Sequence, residues 1–237
     1  MEVLDRMLRS MRAAWQPVAD WQERDGVGSV LTEAVPQRSI VNSVIYQPGA
    51  DIAGAYDWLE SRYAGVEAWT VWVPETERAT AELLESRGHK LDEDPAMMVC
   101  ELASFEPPAE LPHWQRGTIE DVARINDAAY PWRDGSMERA LLGSQFGDNL
   151  HIYVTEGAST LGILDCEGDA SVIFVATLPE ARGRGLAGRL LAAALAEARE
   201  RGNDISTLQA TKMGEPIYAR LGYERFGAIE MWEKRKT

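Results

Sequence analysis

Arg182-Gly183-Arg184-Gly185-Leu186-Ala187-Gly188 follows an apolar run at residues 172–176 and opens an amphipathic stretch, residues 186–201. Leu186, Leu190, Leu191, Ala194, Leu195 and Ala198 recur there at helical spacing, and Gly202 supplies a stop. Strand, glycine-rich turn and helix thus succeed one another. Backbone N–H groups at a helix start have no intrahelical acceptor, and glycines let an anion approach them, so the run reads as an anion cradle.

The spacing Gly183-x-Gly185-x-x-Gly188 also satisfies the dinucleotide fingerprint. In that fold the first glycine follows its strand almost at once, whereas Leu178-Pro179-Glu180-Ala181-Arg182 intervenes here. Too little chain follows for the further strand–helix units that a dinucleotide fold needs. A Walker loop requires Gly-Lys-Ser/Thr, which does not follow. A plain flexible turn would leave the two interleaved arginines without a reason.

Upstream of the run, residues 150–155, 160–165 and 171–177 read as three strands with glycine-containing turns, an antiparallel meander. Before the meander come a short strand at 113–117, a helix at 119–130 capped by Thr118 with Asp121 three residues on, and a second helical piece at 136–142. Downstream, 205–210 is a strand, 215–221 a short helix and 227–233 a last strand. The first half alternates as well, with a helix at 1–21, an extended stretch at 42–46, a helix at 52–63 capped by Asp51, a strand at 68–73, a helix at 75–87 and a strand at 97–102. Between the halves lies proline-rich Phe105-Glu106-Pro107-Pro108-Ala109-Glu110-Leu111-Pro112, the natural linker. The expected division is 1–104, linker 105–112 and 113–237.

With 237 residues, 45% of them hydrophobic and 26% charged, the chain has the composition of a globular protein. Its net charge of −14 disfavours nucleic acid and acidic membranes and favours a cationic partner. Cys100 and Cys166 read as reduced core thiols, and no metal-ligand spacing joins them to His89, His113 or His151. Residues 1–15 lack the apolar core of a signal peptide, and no stretch is long and apolar enough to span a bilayer. A cytoplasmic location is the expectation.

The segment from Val175 to Gly188 resembles the acetyl-CoA signature of the GNAT superfamily of N-acetyltransferases, Gln/Arg-x-x-Gly-x-Gly/Ala, with Arg182, Gly185 and Ala187 in those positions. The order helix, meander, signature helix, strand, short helix, strand extends the resemblance over residues 113–237. It implies an α/β fold with a mixed sheet and acetyl-CoA as cosubstrate, with no metal. The amides of Gly183, Arg184, Gly185, Leu186, Ala187 and Gly188 would hold the coenzyme A pyrophosphate, beside Arg182. Val175, Ala176 and Thr177 would pair with the pantetheine arm, and the strand at 205–210 would splay away to admit it.

Acyl transfer to an amine needs a neutral amine, a stabilised oxyanion and a proton for the departing thiolate. The resemblance gives the last task to Tyr218, with Leu221-Gly222-Tyr223 similar to the family's Leu-Gly-Phe ending; the alternative is a helix tyrosine packed on the core. Some relatives carry a glutamate where this chain has Ser171, which leaves Asp165, Glu167 and Asp169 on the adjoining hairpin as candidates for a water-mediated base, or as a solvated turn. Asp127, Tyr130, Trp132 and Asp134 fall where the family forms its acceptor site, and two carboxylates with two aromatics suit a cationic small-molecule or peptide amine; helix-surface acids beside packing aromatics are the equal alternative. Thr211 stands where relatives place a pantetheine-contacting asparagine, or forms a simple turn before the helix.

The first half repeats the order of the second. Setting Gly88 against Gly222 puts Leu84 opposite Tyr218 and Pro48-Gly49-Ala50-Asp51 opposite the glycine run. A degenerate GNAT-like domain in tandem with a working one is the expectation, and an α/β domain of other origin the alternative. The competing function is an acyl-CoA sensor or regulatory module without turnover.

Overall fold

The computed structural model describes residues 2–130 and 134–236. In chain order the elements are α1 (Val3–Trp15), β1 (Asp20–Arg24), β2 (Val27–Leu31), β3 (Ser43–Tyr46), α2 (Ile52–Arg62), β4 (Ala68–Pro74), α3 (Arg78–Ser86), β5 (Lys90–Glu93) and β6 (Ala96–Glu101). Then follow β7 (Gln115–Arg116), α4 (Ile119–Ala129), α5 (Ser136–Leu141), β8 (Leu150–Thr155), β9 (Ser159–Cys166), β10 (Asp169–Thr177), α6 (Leu186–Glu200), β11 (Ile205–Ala210), α7 (Glu215–Ala219) and β12 (Glu224–Arg235). The strands form one twelve-stranded mixed sheet in the order β1-β2-β3-β4-β12-β6-β11-β10-β9-β8-β7, with β5 alongside β12. The mixed α/β class expected from the sequence is therefore present.

The chain's two halves exchange strands. β6, from the first half, lies between β11 and β12, with Ile205 opposite Glu101 and Glu224 opposite Val99. Residues 229–235 of β12, from the second half, lie between β4 and β5. Beyond β6 the proline-rich stretch does not swing free at once, because Phe105 is buried and its carbonyl accepts from Arg199 at 2.8 Å.

Strand alternation assigns each face a partner. Tyr153, Leu161, Ile163, Val172 and Leu208 pack with Leu190, Leu191 and Leu195 of α6. Ile152, Val154 and Ala176 point the other way, onto Val122 and Ile125 of α4 and Leu141 of α5. In the first half, Val44, Val71 and Val73 pack with Tyr56 and Leu59 of α2 and Leu84 of α3. Met7, Leu8 and Met11 of α1 cross the seam, touching Ile45 and Trp72 on one side and Met97, Ile229 and Met231 on the other.

Local signals placed several ends correctly. Thr118 and Asp121 form the capping box of α4, and Asp51 accepts from the Gly54 amide at 2.8 Å at the start of α2. The first helix is shorter than its periodicity suggested. It stops at Trp15, just before Pro17, which lacks an N–H, and residues 20–24 form β1 instead. β1 and β2 close on Asp25-Gly26, both at positive φ (49° and 82°), as a two-residue hairpin requires. β5 was also unforeseen, since its four residues are all exposed and show no apolar alternation.

The exchanged end of β12 is bonded as well as packed. His89 Nδ1 lies 2.9 Å from the Trp232 carbonyl and must donate to it, so Nε2 accepts from the Tyr56 hydroxyl at 3.0 Å. Lys234 donates in turn to Tyr56 at 3.2 Å and to Glu60. Burial pushes His89 down from 6.5 to about 4, so below about pH 6.5 the unfolded chain takes up a proton that the folded one refuses. This contribution is lost as pH falls through that window. Asp169, which burial pushes up to about 6, acts in the opposite sense, so the informative quantity is a difference between variants. Between pH 7 and pH 5, His89→Gln should lose about 2 kcal/mol less stability than the wild type, read from urea midpoints. Identical pH slopes would refute the assignment.

Candidate active site

β10 and β11 are parallel neighbours, yet their register holds only the pair Asp169–Ile205. The root of the pair is clamped. Buried Asp169 accepts from the Thr207 amide at 3.0 Å, the Thr207 hydroxyl at 2.7 Å and the Ser10 hydroxyl of α1 at 2.6 Å. Ser206 adds a 2.6 Å bond to the Ala170 carbonyl. Past this clamp the strands share no further register, and a wedge opens toward their C-terminal ends.

On the far edge of β10 the ladder with β9 slips. Ile173 faces Gly162 and Ala176 faces Thr160, so Phe174 and Val175 stand opposite the single residue Leu161. Phe174 takes φ 55°, an uncommon conformation outside glycine, which marks a bulge. Asn126, buried on α4, donates to the Phe174 carbonyl at 3.3 Å and to its own helix at Val122 at 2.9 Å. The bulge thereby takes the Phe174 carbonyl out of the β9 ladder and onto Asn126.

The strand then runs through a short turn at Pro179–Ala181 into the glycine run. Gly183 and Gly185 have φ 77° and 72°, where a side chain is strained, and a Cβ at either would meet nothing within 4 Å. Gly185 is the N-cap of α6 and offers no side chain to cover the first-turn amides. The arginines are committed to the protein. Arg182 reaches the carbonyls of Ala129, at the end of α4, and of Thr177 at 3.3 Å, while Arg184 pairs with Glu156 at 2.6 Å. They brace the loop.

Tyr218 of α7 completes this end of the wedge. Its ring meets Tyr223 edge-on at 6.0 Å and closes over Gly214, where a Cβ would lie 2.9 Å from it. Its hydroxyl has no hydrogen-bond partner among the described residues. Burial, with the neighbouring Tyr130 phenol adding to it, holds the pKa of Tyr218 above that of an ordinary phenol, so the hydroxyl carries its proton. Tyr130 in turn lies near Arg182, which opposes the rise that burial causes.

The other sequence candidates are distributed differently. Thr211 Oγ1 accepts from the Gly214 amide at 3.3 Å, the turn before the helix. Asp127 accepts from the amides of Met137 and Glu138 at 2.9 and 3.0 Å and so caps α5. Asp134 accepts from the Ser136 hydroxyl and, at 3.0 Å, from the Ser136 amide, and pairs with Arg38 at 3.1 Å; these bonds, the hydroxyl's foremost, hold its carboxyl well below the usual range. Trp132 lies outside the described residues. Asp127 also lines an open cleft of about 750 Å³ between α4, α5 and Leu178-Pro179-Glu180, together with Glu120, Asp121, Glu138 and Glu180 and, among the described residues, one cation, Arg124.

The hairpin carboxylates sit at the wrong end for a base. From Asp169 to Val175 the strand rises about 20 Å. Asp165 is already held by Arg201 at 2.6 and 3.0 Å, Asn203 at 2.8 Å and His151 at 3.1 Å, and Glu167 pairs with Arg9 at 2.9 Å.

Residues 169–226 match the family model described as "Acetyltransferase (GNAT) domain". Over 100% of this chain and 97% of the other, the structure resembles a GCN5-related N-acetyltransferase from Kribbella flavida, with a TM-score of 0.76 at 17% identity. A GCN5-related N-acetyltransferase from Sphaerobacter thermophilus gives 0.61 at 18% identity, over 89% and 76% of the two chains. A tandem GNAT protein from the clavulanic acid biosynthesis pathway gives 0.54 at 14% identity, over 81% and 73%. No curated protein matches the chain. The fold is that of the GNAT acetyltransferases. The matched segment runs from the clamp at Asp169 through the glycine loop and Tyr218 into β12.

Neither Asn126 nor the bulge was foreseen, because a helix-interior asparagine and a single positive φ leave no pattern in the sequence. Asn126→Leu keeps the volume but removes both side-chain bonds. It should cost about 2 kcal/mol in denaturant unfolding, and a loss below 0.5 kcal/mol would refute the brace.

Proposed function

We propose that the chain is an N-acetyltransferase that moves an acetyl group from acetyl-CoA to a primary amine by direct attack in a ternary complex. The observation that carries this is the continuity of the wedge between β10 and β11, the bulge at Phe174 and the uncapped start of α6. In this reading the amides of residues 183–188 hold the pyrophosphate, charge for charge with a helix N-terminus. The open edge of Val175, Ala176 and Thr177 pairs with the pantetheine amides as an added strand would. Bulge amides polarise the thioester carbonyl as it becomes an oxyanion. As the C–N bond forms and the C–S bond breaks, Tyr218, protonated and part-buried, gives its proton to the departing thiolate, and the proton that the amine sheds passes to solvent, which reprotonates the phenol. The acidic cleft beside Leu178 and Glu180 favours a cationic acceptor.

The reading includes a tandem origin, with 1–104 and 113–237 as two GNAT-like units joined by 105–112 and only the second at work. Supporting it, β3 and β4 form a parallel pair crossed by α2 as β10 and β11 are crossed by α6, and each unit's last strand lies in the other's sheet. In the first unit the Asp51 carboxylate occupies the start of α2, so a protein anion stands where a phosphate would go. Trp72 donates across the strands to Ser43 at 3.1 Å, and Leu84 is buried at the place of Tyr218.

Two outcomes follow. Calorimetry with coenzyme A should give one site per chain, which Gly185→Asp abolishes and Asp51→Ala leaves at one; two sites in the wild type would overturn the single-site reading. Tyr218→Phe should lower thiol release from acetyl-CoA about 100-fold across a panel of amines, with coenzyme affinity unchanged. Tight coenzyme binding by the wild type with no turnover on any amine would point to a sensor instead.

A further inference from the structure

Gln209 carries a feature that the protein itself does not explain. Its Nε2 is buried and has no hydrogen-bond partner among the described residues. Three other buried atoms share that condition, the Oγ1 atoms of Thr70 and Thr160 and the Nε of Arg6. A threonine hydroxyl rotates to suit its surroundings, and the Arg6 guanidinium is already held by Asp204 through two nitrogens. A carboxamide is planar and presents two fixed donors. Leaving them dry and unpaired disfavours the structure, so such a group in a native protein calls for a partner.

The position of Gln209 indicates which partner. Leu208 and Ala210 face α6, and Thr207 faces the other way, onto Asp169 and Ser10. By strand alternation Gln209 shares the face of Thr207. Along one edge β11 is fully paired, with Gln209 opposite Met97 of β6, and along the other it borders the wedge. Counted in parallel from the Asp169–Ile205 pair, Gln209 is level with Ile173, one residue short of the bulge at Phe174. The bulge on β10 and Gln209 on β11 thus stand on opposite sides of the wedge, about equally far along their strands from the clamp, with the Gln209 amide on the face that Thr207 shares with Asp169.

We infer that the Gln209 carboxamide donates a hydrogen bond to the acyl carbonyl oxygen of the thioester, across the wedge from the bulge. This rests on the acetyl-CoA reading above. It adds a donor from β11 that binds the acylated coenzyme in preference to the free thiol, and it makes the wedge selective for its loaded cosubstrate.

The test compares acetyl-CoA with S-ethyl-CoA, which has a methylene in place of the carbonyl, and with coenzyme A, by calorimetry on the full chain. In the wild type acetyl-CoA should bind more tightly than S-ethyl-CoA. Gln209→Met, unbranched and of similar length, should weaken acetyl-CoA about three- to ten-fold, the worth of one neutral hydrogen bond, and leave the other two unchanged. Without ligand, Gln209→Met should melt at or above the wild-type temperature, because an orphaned donor is gone; a structural amide would give the opposite sign. Equal weakening of all three ligands, an unaltered acetyl-CoA affinity, or a lower melting temperature of the free variant would each overturn the assignment. Failure of the wild type to bind any of the three would instead bring down the coenzyme reading, and this one with it.

Discussion

Everything in this molecule depends on β12 being a single unbroken strand. Its first residues complete the sheet beside β6, and its last seven pair residue for residue with β4. Hydrogen bonds along one strand cannot be made in one half and left unmade in the other without exposing backbone to the interior. Because β6 makes the reciprocal crossing, neither half has a complete sheet of its own. The apolar seam of α1 and the Tyr56–His89–Lys234 chain then fasten an arrangement that strand pairing already dictates.

That arrangement positions the candidate site. A parallel pair opens only where something holds one end shut and something else supports the separated strands. Asp169 does the first, a carboxylate with three donors at the root. β6 does the second, since it satisfies the edge of β11 that faces away from β10. The bulge on β10 and the left-handed glycines after it are local departures from regular geometry, each fixed by a neighbour. Asn126 fixes the first, and Arg182 with Arg184 the second.

What could be read in the sequence was what is local. The Thr118–Asp121 box, the Asp51 cap, the glycine run and the meander are written in residues a few positions apart, and the structure has them where the pattern put them. Partnership between distant segments has no such signature. The apolar residues 97–102 read as a strand in either sheet, and the exchange is decided by how the whole chain closes. Acidic side chains mislead for a related reason. Asp127 and Asp134 look available for a cation until the start of α5 is seen to need their oxygens. The hairpin acids look close to the wedge in sequence, but a strand separates them from its mouth by its full extended length.

The pairing of β11 on one edge only has a mechanical consequence. A ligand entering between β10 and β11 must push against a jaw whose backing is β6, a strand joined to the opposite half by its short link from β5 and by its pairing with the continuing β12. The stiffness of that jaw belongs to the half without the glycine loop. Core packing there, far from the wedge, therefore bears on how far β11 can move away from β10.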